Sequence, residues 1–378
     1  MKKILALLLC GLLLQGCGSK ETAAVKDPEP TRTETPAPTK TETPAPSATE
    51  EPEQEEISVS LPEQELTADY TTAEGIALPP GSHIAVVVKE TGSGFWKAVK
   101  AGMELAVADL NEELGYKGKD KVKLTFEGPA DASEIEAQIN IIDAVLAENP
   151  AALCLSAIDR GSCQAQLETA AENGIPVILM DGNARGNESN TICSTDHYAV
   201  GQEAASHLAA ALQDTGKAAI VAHQPQTESC EERERGFRTE IAENHPGITV
   251  LPESVYDDGE ESVSAKVKTL LAENPDLTGI FCTNEETAEV VLAELKKDSS
   301  RTVSVVTVDA GSEITKAIRD GRDIGSVCQN PYGIGYASVI AAARGAADLP
   351  VDPYINPGYQ WIDASNLDAP ENQKYLYE

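Results

Sequence analysis

Residues Ile84 to Leu114, IAVVVKETGSGFWKAVKAGMELAVADLNEEL, pass from a short apolar run through a glycine-bearing loop into a long amphipathic segment. Ile84 to Val88 is β-branched, apolar on both alternating faces and too short for a useful helix. It therefore predicts a strand buried on both sides, as in a parallel sheet covered by helices. After the loop, apolar side chains fall at Val99, Met103, Ala106, Leu110 and Leu114, the spacing of a helix with one stripe against a core. Gly92, Ser93, Gly94, Phe95 and Trp96 lie between the two, at the carboxyl end of the strand, where open α/β sheets place their ligands. Aromatic residues are only 4% of the sequence, so a Phe-Trp pair singles this loop out. The same two rings would serve equally well to staple the first turn of the helix.

The alternation continues. Apolar strands are expected near Val122 to Phe126, Ala152 to Ser156, Val177 to Met180, Ala218 to Ala222, Thr249 to Leu251, Gly279 to Cys282, Val303 to Val308 and Ile324 to Cys328. Amphipathic segments such as Ala132 to Glu148 and Ser262 to Glu273 fall between them. Strand and helix in alternation predict an α/β fold with parallel sheets. The roughly 300 residues concerned are near the size at which one core divides into two. An internal echo agrees: Leu146-Ala-Glu-Asn-Pro150 leads into ALCLS and Leu271-Ala-Glu-Asn-Pro275 leads into GIFC. Each copy would also be explained as a helix terminator and nothing more.

The front of the chain has a different character. Lys2 and Lys3, the apolar run Ile4 to Leu14 and then Gln15-Gly16-Cys17 have the layout of an export signal, with a run too short for a permanent membrane span. Residues 1–16 are read as a lipoprotein signal peptide and Cys17 as the lipidated first residue of the mature chain; an ordinary secretory signal cut nearby would also export the protein. Residues 17–81 are read as a tether rich in Pro, Thr and Glu, in which TETPAP occurs at Thr33 to Pro38 and again at Thr41 to Pro46. Such a segment has too little apolar surface to offset chain entropy, and its acidic excess extends it.

The formal charge of −33 argues against nucleic acid or anionic membrane surfaces as partners. Beyond Cys10 and Cys17 there are six cysteines, at 154, 163, 193, 230, 282 and 328, four of them in or beside apolar runs where free cysteine packs as a small hydrophobe. Export permits disulfides, but the spacing selects no pairing. No metal-ligand spacing, nucleophile elbow, Walker loop or dinucleotide fingerprint occurs, so neither a metal nor a cofactor is expected.

Between two α/β lobes the residues just past each strand face the ligand. They are Phe95 and Trp96, Asp159 and Arg160, Asp181, the run Glu231 to Arg235, Tyr256 with Asp257, Asn284, Asp309 and Gln329. Carboxylates and amides hydrogen-bond vicinal hydroxyls and flat rings pack on a sugar's apolar face, so the set has the chemistry of carbohydrate recognition. Asp159 is read first as a cap or loop residue, and Asn284 is equally an N-cap. Asp181 and Asp309 directly follow the strands VILMD and VVTVD, which favours a ligand role.

From about His83 to Trp361 the motif order resembles the ribose-type branch of the type I periplasmic sugar-binding proteins, whose fold is shared by the ligand domains of LacI-type repressors. The residues that carry it are SGFWKAVKAG at 93–102, GIPVILMD at 174–181, STD at 194–196 followed by AVGQEAA, RERGF at 233–237, FCTNEETA at 281–288, VVTVDA at 305–310 and QNPYGIGYA at 329–337. The resemblance implies two Rossmann-like lobes joined by a three-segment hinge within residues 82–378, the first lobe about 82–190 plus 330–348 and the second about 191–329 plus 349–363. It implies ligand contacts from Ser93, Phe95, Trp96, Asp181, Glu231, Arg233, Tyr256, Asn284, Asp309 and Gln329, with Phe95 and Trp96 sandwiching a sugar ring. Ser93, Gly182 and Glu231 stand where ribose binders carry Asn, Arg and Arg. Two readings follow: a ligand with a cationic group facing Asp181, Glu231 and Asp309, or a neutral sugar with Lys89, Arg185 or Arg235 restoring the balance.

The resemblance thus implies a monomeric, lipid-anchored, extracytoplasmic solute-binding protein that delivers a monosaccharide, polyol or amino sugar to the permease subunits of an ABC importer, and is not an enzyme. The alternatives are a ligand-sensing lipoprotein that reports to a sensor kinase or chemoreceptor and, more distantly, an exported sugar-active enzyme using Asp181 and Asp309.

Overall fold

The computed structural model describes residues 60–185, 191–257, 262–298 and 301–378. The signal peptide, Cys17 and the TETPAP repeats lie outside the described residues. Two sheets organise the rest. The first contains β1 (His83–Val87), β2 (Lys123–Glu127), β3 (Ala152–Leu155), β4 (Val177–Met180), β5 (Thr191–Cys193) and β12 (Tyr354–Ile355), in the order β12-β5-β4-β3-β1-β2 with every pair parallel. The second contains β6 (Gly216–Ala222), β7 (Ile248–Val250), β9 (Gly279–Cys282), β10 (Ser304–Val308), β11 (Gly325–Gln329) and β13 (Tyr359–Ile362), in the order β13-β11-β10-β9-β6-β7. There β13 alone runs antiparallel, and a short β8 (Val255–Tyr256) pairs with β6. Strands β3, β4 and β9 are buried at every position, as continuous apolar runs between two helical layers require, and β11 is buried throughout as well although it carries Ser326 and Gln329.

The helices are α1 (Gly94–Glu113), α2 (Ile135–Ala147), α3 (Gln164–Glu172), α4 (His197–Ala211), α5 (Glu228–Asn244), α6 (Val263–Glu273), α7 (Glu285–Leu295), α8 (Ser312–Arg319) and α9 (Pro331–Ala346). The sequence echo marks equivalent places, since α2 leads into β3 and α6 into β9, each a central strand of its sheet. Each lobe also contains one pair of helices in backbone contact. In the first, Gly102 of α1 faces the carbonyl of Tyr332 and Gly335 of α9 faces that of Val99. In the second, Gly201 of α4 faces the carbonyl of Arg233 and Gly236 of α5 faces that of Tyr198. A Cβ at any of the four would overlap a carbonyl oxygen, so only glycine permits the approach.

The chain passes between lobes three times, from β5 to α4, from β11 to α9 and from β12 to β13. Three expected boundaries move. β5 pairs with β4, so residues 191–193 belong to the first lobe and not the second. The stretch 349–363 is divided, with β12 in the first sheet and β13 in the second. The tether does not run to residue 81: Tyr70, Ala73, Ile76 and Leu78 are buried in the first-lobe core. Leu61 and Leu66 pack against that core, and the Tyr70 hydroxyl donates to Asp352 Oδ2 at 2.9 Å. The Pro/Thr/Glu composition yields to spaced apolar residues near 60, and those residues have enough surface to bury. All six described cysteines are buried and free, as small hydrophobes in or against the strands.

Candidate functional site

The carboxyl ends of both sheets face one cavity of about 410 Å³, within the range of small-molecule sites. It is lined by Ser93, Phe95, Trp96, Asp181, Arg233, Asn284, Asp309 and Gln329 of the expected set, and by Lys89, Glu90, His223, Ser229, Asp257, Glu285, Glu286 and Tyr377 among others.

The two aspartates occupy matching positions. Asp181 follows β4 with φ 52° and its N–H donates to Cys193 O at 3.1 Å; Asp309 follows β10 with φ 68° and its N–H donates to Val327 O at 3.1 Å. A left-handed backbone costs a non-glycine residue about 1–3 kcal/mol and clusters where function requires it. Here it turns both carboxylates into the cleft.

Their electrostatics differ. Lys89 Nζ donates to Asp181 Oδ2 at 2.8 Å, and His197 Nε2 lies 3.6 Å from Oδ1. Burial pushes the Asp181 carboxyl up, but the Lys89 ammonium, through its charge and its hydrogen bond, and the Arg233 guanidinium outweigh it and hold the group below the usual carboxylate range. Asp309 makes no ion pair among the described residues: burial raises it, against the pull of Arg233 and the Gln329 N–H and amide, which donate to its two oxygens at 3.0 and 2.7 Å. His197 is held neutral, its imidazole pushed down to about 3 by burial and by Arg233.

Arg233 is 2% exposed, donates to Thr283 O at 2.7 Å and to His197 Nδ1 at 3.3 Å, and makes no ion pair among the described residues. Its guanidinium therefore keeps donors for a ligand. Asp181 Oδ1 and Gln329 Oε1 are buried acceptors without a hydrogen-bond partner. Buried polar atoms are ordinarily paired, so these two point to ligand hydroxyls.

Other expected residues have local duties as well. Ser93 caps α1, accepting from Trp96 N at 3.4 Å and donating to Glu90 Oε1 at 2.5 Å. Asn284 caps α7, accepting from Thr287 N at 3.1 Å, and also lines the cleft. Asp159 is a loop residue, accepting from Gly161 N, Ser162 N and Ser162 Oγ. Phe95 and Trp96 stand 5.2 Å apart at 84°. They form a corner of the cleft and cannot grip a flat ring between them as a sandwich.

Two expected residues lie elsewhere. Glu231 is two positions from Arg233 on α5 and so on the opposite side of the helix; it pairs with Arg160 of the first lobe at 2.6 Å. Tyr256 donates to Glu234 Oε2 at 2.7 Å beside a separate surface depression, and its neighbour Asp257 faces the cleft instead. Alternation along a strand sends successive side chains to opposite faces.

Lys89, one of the three cations expected to restore the charge balance, follows the β1 run and lines the cleft; His223, which directly follows β6 and also lines it, is absent from the expected set although its place after a strand is the same signal. His223 Nδ1 lies 2.7 Å from Thr283 Oγ1 and Nε2 lies 3.1 Å from Ser229 Oγ, and burial pushes its imidazole well down. Glu285 and Glu286 open α7 and are raised to about 7, burial being the largest cause. No sequence signal marks Tyr377.

The comparisons agree with this architecture. The model of the family described as "Periplasmic binding protein domain" matches residues 84–347. The ribose import binding protein RbsB of Haemophilus influenzae is 27% identical over 280 residues, covering 71% of this chain and 89% of that protein. RbsB of Bacillus subtilis is 25% identical, covering 65% and 72%. Among solved structures, an ABC transporter solute-binding protein from Agrobacterium vitis bound with α-D-tagatopyranose has a TM-score of 0.72 at 27% identity and covers 79% of this chain and 99% of that one. A second from the same organism, with D-fucose, has a TM-score of 0.72 at 25% identity and covers 78% and 100%. With the family match running from β1 to the end of α9 and the two-sheet, three-crossing fold around it, this chain belongs to the type I periplasmic binding proteins.

Proposed function

We propose that the protein is an exported solute-binding protein that captures one uncharged monosaccharide in the cleft and delivers it to an ABC importer. The observation that carries this is the pair of buried, unpartnered acceptors, Asp181 Oδ1 and Gln329 Oε1, facing the free donors of Arg233 and the corner made by Phe95 and Trp96. Sugar hydroxyls both donate and accept, and so satisfy the two kinds of group together. Support also comes from the ligands named for the Agrobacterium vitis structures and from the ribose import proteins.

A neutral sugar fits better than a cationic one. Asp181 is already balanced by Lys89, and Glu231 by Arg160. A thermal-shift panel on the chain with pentoses, hexoses, hexosamines and amino acids tests this. A ligand at a hundred times its dissociation constant stabilises by about 2.7 kcal/mol. The expected result is a shift with one neutral sugar or a small group of them. A shift with hexosamines alone would move the assignment to a cationic ligand through Glu285, Glu286 and Asp309, and a response to amino acids alone would retire the sugar.

We infer further that Cys17 anchors the protein through acyl chains, on the strength of Lys2, Lys3, the apolar run and Leu14-Gln15-Gly16-Cys17. Metabolic labelling with a fatty-acid analogue is expected to mark the wild type and not Cys17→Ser. Equal labelling of both would remove the anchor from the account.

A further inference from the structure

The segment beyond β13 packs its apolar side chains on the second lobe, touches the first through Lys374 Nζ, which donates to Ser60 Oγ at 2.6 Å, and reaches the cleft. Leu367 is buried in the second-lobe core, and Tyr375 and Leu376 pack against that core. Within the segment, Asn372 Nδ2 donates to Asn366 O at 2.9 Å and Gln373 Nε2 to Leu367 O at 3.1 Å. Tyr377 then leaves this support and enters the cavity wall, where it is 8% exposed.

Its partners come from both lobes. The hydroxyl donates to Glu285 Oε2 of α7 at 2.7 Å, and the ring stands edge-on to Phe95 of α1, with centroids 6.2 Å apart at 72°. Gly94 makes room for it: a Cβ there would lie 2.8 Å from Tyr377 Cδ2 and 3.0 Å from the carbonyl of Glu378. A phenol that reaches a carboxylate on one lobe while its ring packs on the other bridges the cleft beside the ligand space.

We propose that Tyr377 is a ligand-contacting residue of the cleft, held by a segment that bridges the two lobes in the closed form. The assignment rests on the cleft being the binding site. Because the apolar anchor of the segment, Leu367 with Tyr375 and Leu376, belongs to the second-lobe core, opening separates the ring from Gly94 and Phe95 and leaves its bond to Glu285 in place. Ligand release then requires that ring contact to break, and the ring extends the aromatic corner made by Phe95 and Trp96. Aromatic residues in such desolvated positions dominate binding energies.

The test has two arms on the full chain. Without any sugar, hydrogen exchange of the peptides spanning 90–99 and 283–290 is compared between wild type and Tyr377→Ala. Faster exchange in both is expected, and unchanged exchange overturns the bridge whether or not a sugar binds. With the sugar that gives the largest shift among D-ribose, D-tagatose, D-fucose and D-arabinose, dissociation is expected to be about tenfold faster for Tyr377→Ala. It is expected to be intermediate for Tyr377→Phe, which keeps the ring and loses the bond to Glu285. Gly94→Ala, which displaces the ring without altering it, is expected to behave like Tyr377→Ala. Dissociation within twofold of wild type for both alanine variants overturns the ligand contact. Binding of none of the four by the wild type, together with altered exchange, upholds the bridge and counts against the sugar.

Discussion

Asp181→Asn is expected to lose about 3–5 kcal/mol of folding stability and, with it, sugar binding. The carboxylate is the counter-charge of Lys89 at 2.8 Å, and it also lowers the cost of burying Arg233, which has no ion pair of its own among the described residues. An amide in its place keeps the shape and leaves two largely buried cations without their counter-charge. Removing one partner of a buried pair costs far more than the pair itself is worth, so Lys89→Met combined with Asp181→Asn is expected to recover a large part of the loss without restoring binding. The pH dependence has a definite sign. The Asp181 carboxyl lies below its ordinary value, so its contribution is complete above about pH 4, the unfolded-state value, and is lost as pH falls through the lower folded value. The gap between wild type and Asp181→Asn in urea unfolding should therefore be constant from neutral pH down to about 5 and close in acid. A gap that stayed open in strong acid would contradict the ion-pair account.

Gly201→Ala is expected to cost about 1–3 kcal/mol or more, a large effect for one methyl group. Its Cβ would overlap the carbonyl of Arg233, an atom fixed in the backbone of α5, so the two helices must separate. Interiors packed at crystal density do not yield locally, and the displacement moves the Arg233 guanidinium out of the cleft. The variant should consequently lose affinity as well as stability. Gly335→Ala, at the matching contact with Val99 of α1, should destabilise to a similar degree. Urea midpoints and sugar titrations of the two variants separate these effects. Midpoints equal to wild type would mean that the helices have slack which the structure does not show.

Much of this was legible in the residues. Continuous apolar runs such as VILM and GIFC gave β4 and β9 at their observed limits, because a strand buried on both faces has no polar positions to blur it. β5, β8, β12 and β13 are not legible in the same way: they have two to four residues, too few to show a period, and their pairing is decided by the sheet edge they meet. Those same short strands set the lobe boundaries, which is why residues 191–193 and 354–355 lie in the first lobe and not in the expected second.

At the site, position after a strand points to Asp181, Asp309 and Gln329, all three of which line the cleft. Facing was harder. Tyr256 and Glu231 are each one or two residues from a cleft residue, and strand alternation and helical rotation turn them away from it. Tyr377 depends on the path of a segment with no periodicity, which only the folded chain specifies.

Equilibrium dialysis of the chain against the sugar with the largest thermal shift tests the central claim most directly. The account predicts a single saturable site. Asp309→Asn and Arg233→Met are each expected to weaken it by about tenfold or more, the equivalent of one or two charge-assisted hydrogen bonds. Retention of no sugar, or full affinity in both variants, would contradict the assignment of this cleft as the binding site.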